Sequence, residues 1–262
     1  MSTTIPARHD GLQGSLAFWF SRLTARWSRA LRTSGSRASD SPQPPRPEFP
    51  GTSKGPGARS RRQLAVTRGH QARLRQLLNG ENCTVILSDV VGFGARSRTD
   101  EDRRIIRGTL FRITHAAMRG IPNVWSWEDR GDGLLMVIPP TVPTAEVVEH
   151  LHAGMPAALE EHNRTHRDPA RIQLRVGVNV GPVTSDEMGF SGEAIIVTAR
   201  LVEAPPFKKA MDETGANLGI IASTFIYETV IRHHAHMIGY CQVRVDVKES
   251  NILGWTKLFG RS

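Results

Sequence analysis

Two carboxylates stand where short apolar segments end, each beside glycine. In Ile86-Leu87-Ser88-Asp89-Val90-Val91-Gly92-Phe93 an apolar strand closes on Asp89 and a glycine turn follows. In Glu128-Asp129-Arg130-Gly131-Asp132-Gly133 a tight turn carries Asp132 between two strand-like segments, which predicts an antiparallel hairpin. If these strands are neighbours, Asp89 and Asp132 converge at one edge of a sheet. Two carboxylates facing one site suit hard divalent cations such as Mg2+, which prefer oxygen ligands and keep places open for phosphates. The Val91–Gly94 turn adds backbone N–H groups for a polyphosphate, because glycine lets the backbone approach closely. Each motif alone has an ordinary reading. A carboxylate before glycine opens many loops, and Gly-Asp-Gly is a common hairpin turn. The two together, in this order, point to chemistry.

These residues need a scaffold, and the hydrophobic pattern supplies one. Strand candidates are Thr84–Asp89, Asn123–Asp129, Gly133–Ile138, Ile172–Asn179, Leu218–Ala222, Gln242–Val247 and Ile252–Leu258. Helix candidates are Glu101–Arg119, Ala145–His162, Ala194–Met211 and Thr224–His233, with Pro205–Pro206 ending or kinking the third. This alternation predicts an α/β or α+β layered sheet covered by helices.

The chain has 262 residues, 39% of them apolar and 23% charged, which excludes global disorder and leaves enough for a core. Its net charge of +9 is unevenly placed. Residues 1–80 carry 14 Lys/Arg against 3 Asp/Glu, whereas the remainder carries 20 against 22. The basicity therefore belongs to a tail, and no specific nucleic-acid partner is expected for the folded part. Residues 14–33 place Leu16, Phe20, Leu23, Trp27 and Leu31 on one helical stripe and Arg22, Arg26 and Arg29 on another. That pattern fits peripheral membrane contact or a partner-docking helix; it has neither the apolar length of a span nor a signal-peptide cleavage site. Six prolines in residues 34–60 predict a flexible linker, residues 61–78 a short basic helix ended by Asn79–Gly80, and residues 81–259 the folded domain. Cys83 and Cys241 lack metal-ligand or disulfide-framework spacing and read as buried thiols of a reducing, cytoplasmic compartment.

From Asp89 onward the motifs resemble, in order, those of the class III nucleotidyl cyclases, the adenylate/guanylate cyclase catalytic domain. Leu87-Ser88-Asp89-Val90-Val91-Gly92-Phe93 is similar to the family's first metal segment, and Glu128-Asp129-Arg130-Gly131-Asp132 to its second. Arg175-Val176-Gly177-Val178-Asn179-Val180-Gly181-Pro182-Val183, the stretch Gly192–Arg200, and Val245-Asp246-Val247-Lys248 resemble three further segments. The resemblance covers about residues 81–259 and implies a ferredoxin-like α+β fold with a mainly antiparallel sheet flanked by helices. It implies conversion of a nucleoside triphosphate to a 3′,5′-cyclic nucleotide and pyrophosphate, with two divalent cations, Mg2+ or Mn2+.

By the same resemblance Asp89, Asp132 and the Val90 carbonyl hold metal. Gly92 and Phe93 belong to the substrate turn, Lys248 is a candidate phosphate contact, and Arg200 stabilises the reacting phosphorus across a homodimer interface. Glu128 stands at the base-selecting position, where glutamate goes with GTP. Three departures accompany these matches. Gly189 occupies the second base-contact position, Gly94 replaces a hydroxyl residue, and Ile196 replaces the asparagine that orients the ribose. They leave open a weak or silent nucleotide-sensing or dimerisation module. A pyrimidine cyclase is also open, since bacterial relatives in phage defence make cyclic CMP or cyclic UMP. Trp125 and Trp127, close to Glu128 in sequence, read as base-pocket walls or as packing.

Overall fold

The computed structural model describes residues 78–122, 124–247 and 250–261. The basic tail, its amphipathic stripe at 14–33, the linker, most of the short basic helix and Lys248 lie outside the described residues. Among the described residues, no helix is long and apolar enough to cross a membrane.

Among the described residues eight strands form one sheet: β1 (Asn79–Val90), β2 (Ser126–Asp129), β3 (Gly133–Ile138), β4 (Leu174–Asp186), β5 (Gly189–Ser191), β6 (Ala216–Ser223), β7 (Cys241–Val247) and β8 (Ser250–Arg261). Their order is β2-β3-β1-β4-β6-β8-β7, with β5 paired to β4. Only the β4–β6 pairing is parallel, as its connection through two helices requires. The helices are α1 (Asp100–Ala117), α2 (Thr144–Thr165), α3 (Glu193–Val202), α4 (Pro205–Thr214) and α5 (Thr224–Thr229). The fold is thus α+β, with a mainly antiparallel sheet flanked by helices.

The period-two alternation of the strands divides the core between the two faces of the sheet. On β6, Leu218, Ile220 and Ala222 join the larger cluster, with Ile106, Leu110 and Ile113 of α1 and Val147, Leu151 and Met155 of α2. Ile221, between them in sequence, joins Leu201, Phe207 and Met211 of α3 and α4 on the other face. The helix expected over Ala194–Met211 is two helices, because Pro205 and Pro206 lack the N–H groups a continuous helix needs. Proline instead opens α4, where its fixed φ is favourable.

Some boundaries differ from expectation. β1 starts at Asn79, so Asn79–Gly80 belongs to a strand, paired along β4 as far as Thr184. Trp125 precedes β2 and packs against His115 of α1, with ring centroids 5.7 Å apart. The segment Thr224–His233 is helical only to Thr229 and then tightens into a single 3-10 turn. Cys83 is buried as expected, but Cys241 is exposed, because β7 is the last strand of the sheet and begins with its outer residues in solvent.

Candidate active site

The site is organised by β1, whose last residues pair with β3 on one side and β4 on the other. Asp89 lies opposite Gly133 of β3 and opposite Arg175 of β4. One residue on, the Val90 N–H donates to the Asp132 carbonyl at 2.9 Å. The β2–β3 turn is thereby fastened across the end of β1, and the residues bearing the two carboxylates become neighbours. This closeness explains the second glycine of Gly-Asp-Gly. A Cβ on Gly133 would lie 2.2 Å from the Ser88 carbonyl oxygen, so any side chain would force the strands apart.

The Asp89 carboxylate is buried and accepts a 2.9 Å hydrogen bond from Nε of Arg175, with a second guanidinium nitrogen on the same oxygen. Burial pushes the Asp89 carboxyl above the ordinary range, while the Arg175 guanidinium pulls it back. Glu203, just past α3, raises it further and Lys208 of α4 lowers it. Arg175 was legible only as part of a motif; nothing in the sequence marked it as the partner of a carboxylate 86 residues away. Asp132 is half-buried in its turn.

The glycine turn after β1 is held from outside. Arg98 donates to the Val91 carbonyl at 3.1 Å, and Arg103 donates to the carbonyls of Phe93 and Ala95 at 3.3 and 3.1 Å. The Val91 and Phe93 amides are engaged with the Gln173 and Val90 carbonyls. Among the described residues the Gly92 and Gly94 amides have no backbone acceptor. α1 follows directly, opened by a reciprocal cap in which Thr99 and Asp102 satisfy each other's amides. Asp102 is fully buried and also accepts from Arg167 at 2.6 Å, which ties the start of α1 to the segment leading into β4.

Glu128 and Gly189, 61 positions apart in sequence, meet in the structure. Glu128 Oε1 accepts from the Phe190 N–H at 3.1 Å, and Oε2 pairs with Arg130 at 2.7 Å. Gly189 has φ +132°, and a Cβ there would lie 2.3 Å from Glu128 Oε1. A side chain at 189 would be strained by that φ and would have to displace the Glu128 carboxylate. Neither Arg130 nor the Phe190 amide was identifiable as a Glu128 partner from sequence, since β5 is only three residues long.

Arg200 stands on α3 with its side chain 21% exposed and Glu193 Oε1 3.8 Å from its guanidinium. Ile196, one turn earlier, is 42% exposed. Within one chain the structure brings Asp89, Val90, Asp132 and Arg175 together at one edge, and Glu128, Arg130, Gly189 and Phe190 in a second cluster.

No family model matches the sequence, and no curated protein does. Solved structures do match. The adenylate/guanylate cyclase/hydrolase from Silicibacter pomeroyi superposes with a TM-score of 0.50 at 19% identity, covering 69% of this chain and 99% of that one. A bacterial light-regulated adenylyl cyclase superposes with a TM-score of 0.52 at 11% identity, covering 75% of this chain and 60% of that one. The fold is that of the class III nucleotidyl cyclases. On that fold Asp89 and Asp132 lie at one end of the sheet, where β1 finishes beside the turn of the β2–β3 hairpin.

Proposed function

We propose that residues 81–259 are a nucleotidyl cyclase converting a nucleoside triphosphate, with GTP favoured, to its 3′,5′-cyclic monophosphate and pyrophosphate. The observation that carries this reading is the Val90–Asp132 hydrogen bond at 2.9 Å, which sets two carboxylate-bearing residues side by side at one end of the sheet. The donor set fits a pair of hard divalent cations. It consists of oxygens alone, and burial makes the Asp89 carboxylate favour a nearby positive charge, a part that Arg175 plays within the chain. Bound there, such cations supply activation of the ribose 3′-hydroxyl and neutralisation of charge on the phosphates.

The chain's own residues do the positioning. Asp89, Asp132 and the Val90 carbonyl are the metal ligands, and the turn at Gly92 and Phe93 meets the phosphates through the Gly92 amide, the Phe93 amide being bonded to the Val90 carbonyl. Arg200 comes from a second copy of the chain in a homodimer, and its planar fork of donors suits oxygens of the α-phosphoryl group as pyrophosphate leaves. Glu128 accepts from the N1–H and N2–H2 of guanine, two donors that adenine does not present in that pattern. Arg130 and the Phe190 amide fix the orientation of its carboxylate. Lys248 remains a phosphate candidate, and residues 14–33 a candidate for peripheral membrane contact.

A second reading is a catalytically silent nucleotide-sensing or dimerisation module. It is favoured by Ile196, which cannot hydrogen-bond a ribose, and by the ion pair that already occupies Asp89. Substitution separates the two. Under the cyclase reading, Asp89→Ala and Asp132→Ala abolish cyclic nucleotide formation and leave the domain folded, while Glu128→Lys reduces the preference for GTP. Full activity of either aspartate variant removes the two-metal assignment, and a wild-type preference for CTP, UTP or ATP removes the guanine assignment.

A further inference from the structure

We propose that Glu149, His234 and His236 form a binding site for a zinc-type divalent cation, separate from the Asp89–Asp132 edge and independent of the cyclase reading. One ligand atom from each of these side chains lies within 4.8 Å of the other two. Glu149 Oε1 and His234 Nδ1 are 2.8 Å apart, and the rings of His234 and His236 meet edge-on with centroids 5.7 Å apart. Zn2+ bonds to imidazole nitrogen and carboxylate oxygen run about 2.0–2.2 Å. Tetrahedral placement around one ion therefore needs neighbouring ligand atoms roughly 3.3 Å apart, a small opening of the present Glu149–His234 pair and a small closing on His236. Two imidazoles and a carboxylate select zinc-like ions over Mg2+ or Ca2+, which take oxygen ligands.

The ligands sit on two well-anchored elements. Glu149 is in the second turn of α2, between the buried residues Val148 and Leu151. His234 and His236 lie between Ile231 and Met237, both buried in the same core cluster. The backbone around them is closed by hydrogen bonds from the His234 N–H to Ile231 and from the Met237 N–H to His234, at 3.1 and 2.9 Å. An ion here would tie the start of α2 to the turns that follow α5.

α2 begins where Thr144 Oγ1 meets Thr84 Oγ1 at 2.8 Å, and Thr84 precedes Asp89 by five residues on β1. At about 3.3 Å per residue those five residues separate Thr84 from Asp89 by about 16 Å along β1, and none of the three ligands stands on β1, on the β2–β3 hairpin or in the glycine turn. His152, one turn beyond Glu149 and close to His236, is held neutral near neutral pH, its pKa pushed down to about 4 by burial, Lys257 and His236. The Lys257 ammonium rests over the rings of Tyr240 and Phe259, 5.9 and 5.1 Å from their centroids. The His152 Nε2 and Tyr240 hydroxyl are buried with no hydrogen-bond partner among the described residues, so polar groups beside the site have capacity to spare.

The test titrates metal-free full-length protein with Zn2+ against a chromophoric competing chelator. One saturable site is expected, and His234→Ala, His236→Ala and Glu149→Gln each weaken it by about 100-fold or more, since losing even an outer hydrogen-bond partner of a metal ligand costs about 10–100-fold. His166→Ala, in the stacked His162–His166 pair elsewhere, leaves the affinity unchanged. Zn2+ raises the melting temperature of the wild type and not that of His236→Ala, an exposed position whose replacement does not threaten the fold. Affinity that is indifferent to all three ligand substitutions, or that falls only with His166→Ala, overturns the site.

Discussion

Replacing Arg175 with methionine tests whether a buried ion pair holds Asp89. The two side chains are 14% and 11% exposed, so removing the guanidinium leaves a carboxylate with little access to water. Breaking one partner of a buried pair costs about 3–5 kcal/mol, and the residual exposure here places the loss near ~3 kcal/mol at neutral pH. In a domain of this size each kcal/mol moves the melting temperature by roughly 2–4 °C, which gives a fall of about 6–12 °C. The loss depends on pH in a definite direction. Burial raises the Asp89 carboxyl above its ordinary range and Arg175 opposes that rise, so without Arg175 it moves higher still. A carboxyl raised in the folded state contributes stability that is present below its unfolded value, about 3.9, and is lost as pH climbs through the folded value. The deficit of Arg175→Met is therefore small near pH 4 and grows towards neutrality. Asp89→Asn combined with Arg175→Met recovers most of it, because neither charge remains. Urea unfolding at several pH values, with divalent cations absent, measures the whole cycle. An equal deficit at acid and neutral pH, or additive losses in the double variant, would refute the buried-pair argument.

Other expectations follow from the same contacts. Gly133→Ala sets a methyl group 2.2 Å from the Ser88 carbonyl, and a loss of at least ~2 kcal/mol is expected in denaturant unfolding; wild-type stability would mean that the strands separate easily. Cys83 is buried and its thiol is pushed up to about 11 by burial and by Glu81, whereas Cys241 is exposed. At pH 8 a thiol reagent should modify one cysteine in the native protein and both after unfolding, and two native equivalents would contradict the placement of Cys83. If the sites are shared between two copies, mixing Asp132→Ala with Arg200→Ala restores part of the activity, and demonstrated heterodimers without activity count against a composite site. Deleting residues 1–60 should leave the domain folded and weaken cosedimentation with anionic vesicles, and equal cosedimentation removes the membrane role.

What could be read from the sequence is what local pattern encodes. The strand ending at Asp89, the hairpin around Asp132 and the break at Pro205–Pro206 each depend on neighbours in the chain, and each is present. The convergence of Asp89 and Asp132 required only that β1 and β3 be adjacent. Long-range partners were not readable. Arg175 looks like any arginine at the head of an apolar strand until β1 and β4 pair in the register that sets it opposite Asp89. Gly189 looked like a missing contact, yet it is the residue over which Glu128 lies, with φ +132°, a backbone conformation that strains any side chain. β5 escaped notice because three residues carry no alternation to detect. The Glu149–His234–His236 cluster joins two segments far apart in sequence, and only the packing of α2 against the chain after α5 assembles it.

The most direct measurement is product identification. Purified protein is incubated with Mn2+ and each of GTP, ATP, CTP and UTP, and the products are resolved by mass spectrometry, with Asp132→Ala as the control. The cyclase account predicts a 3′,5′-cyclic nucleotide and pyrophosphate from the wild type, cyclic GMP foremost, and neither product from the variant. Folded wild-type protein that yields no cyclic nucleotide from any of the four contradicts it and leaves the silent nucleotide-binding or dimerisation module as the reading that stands.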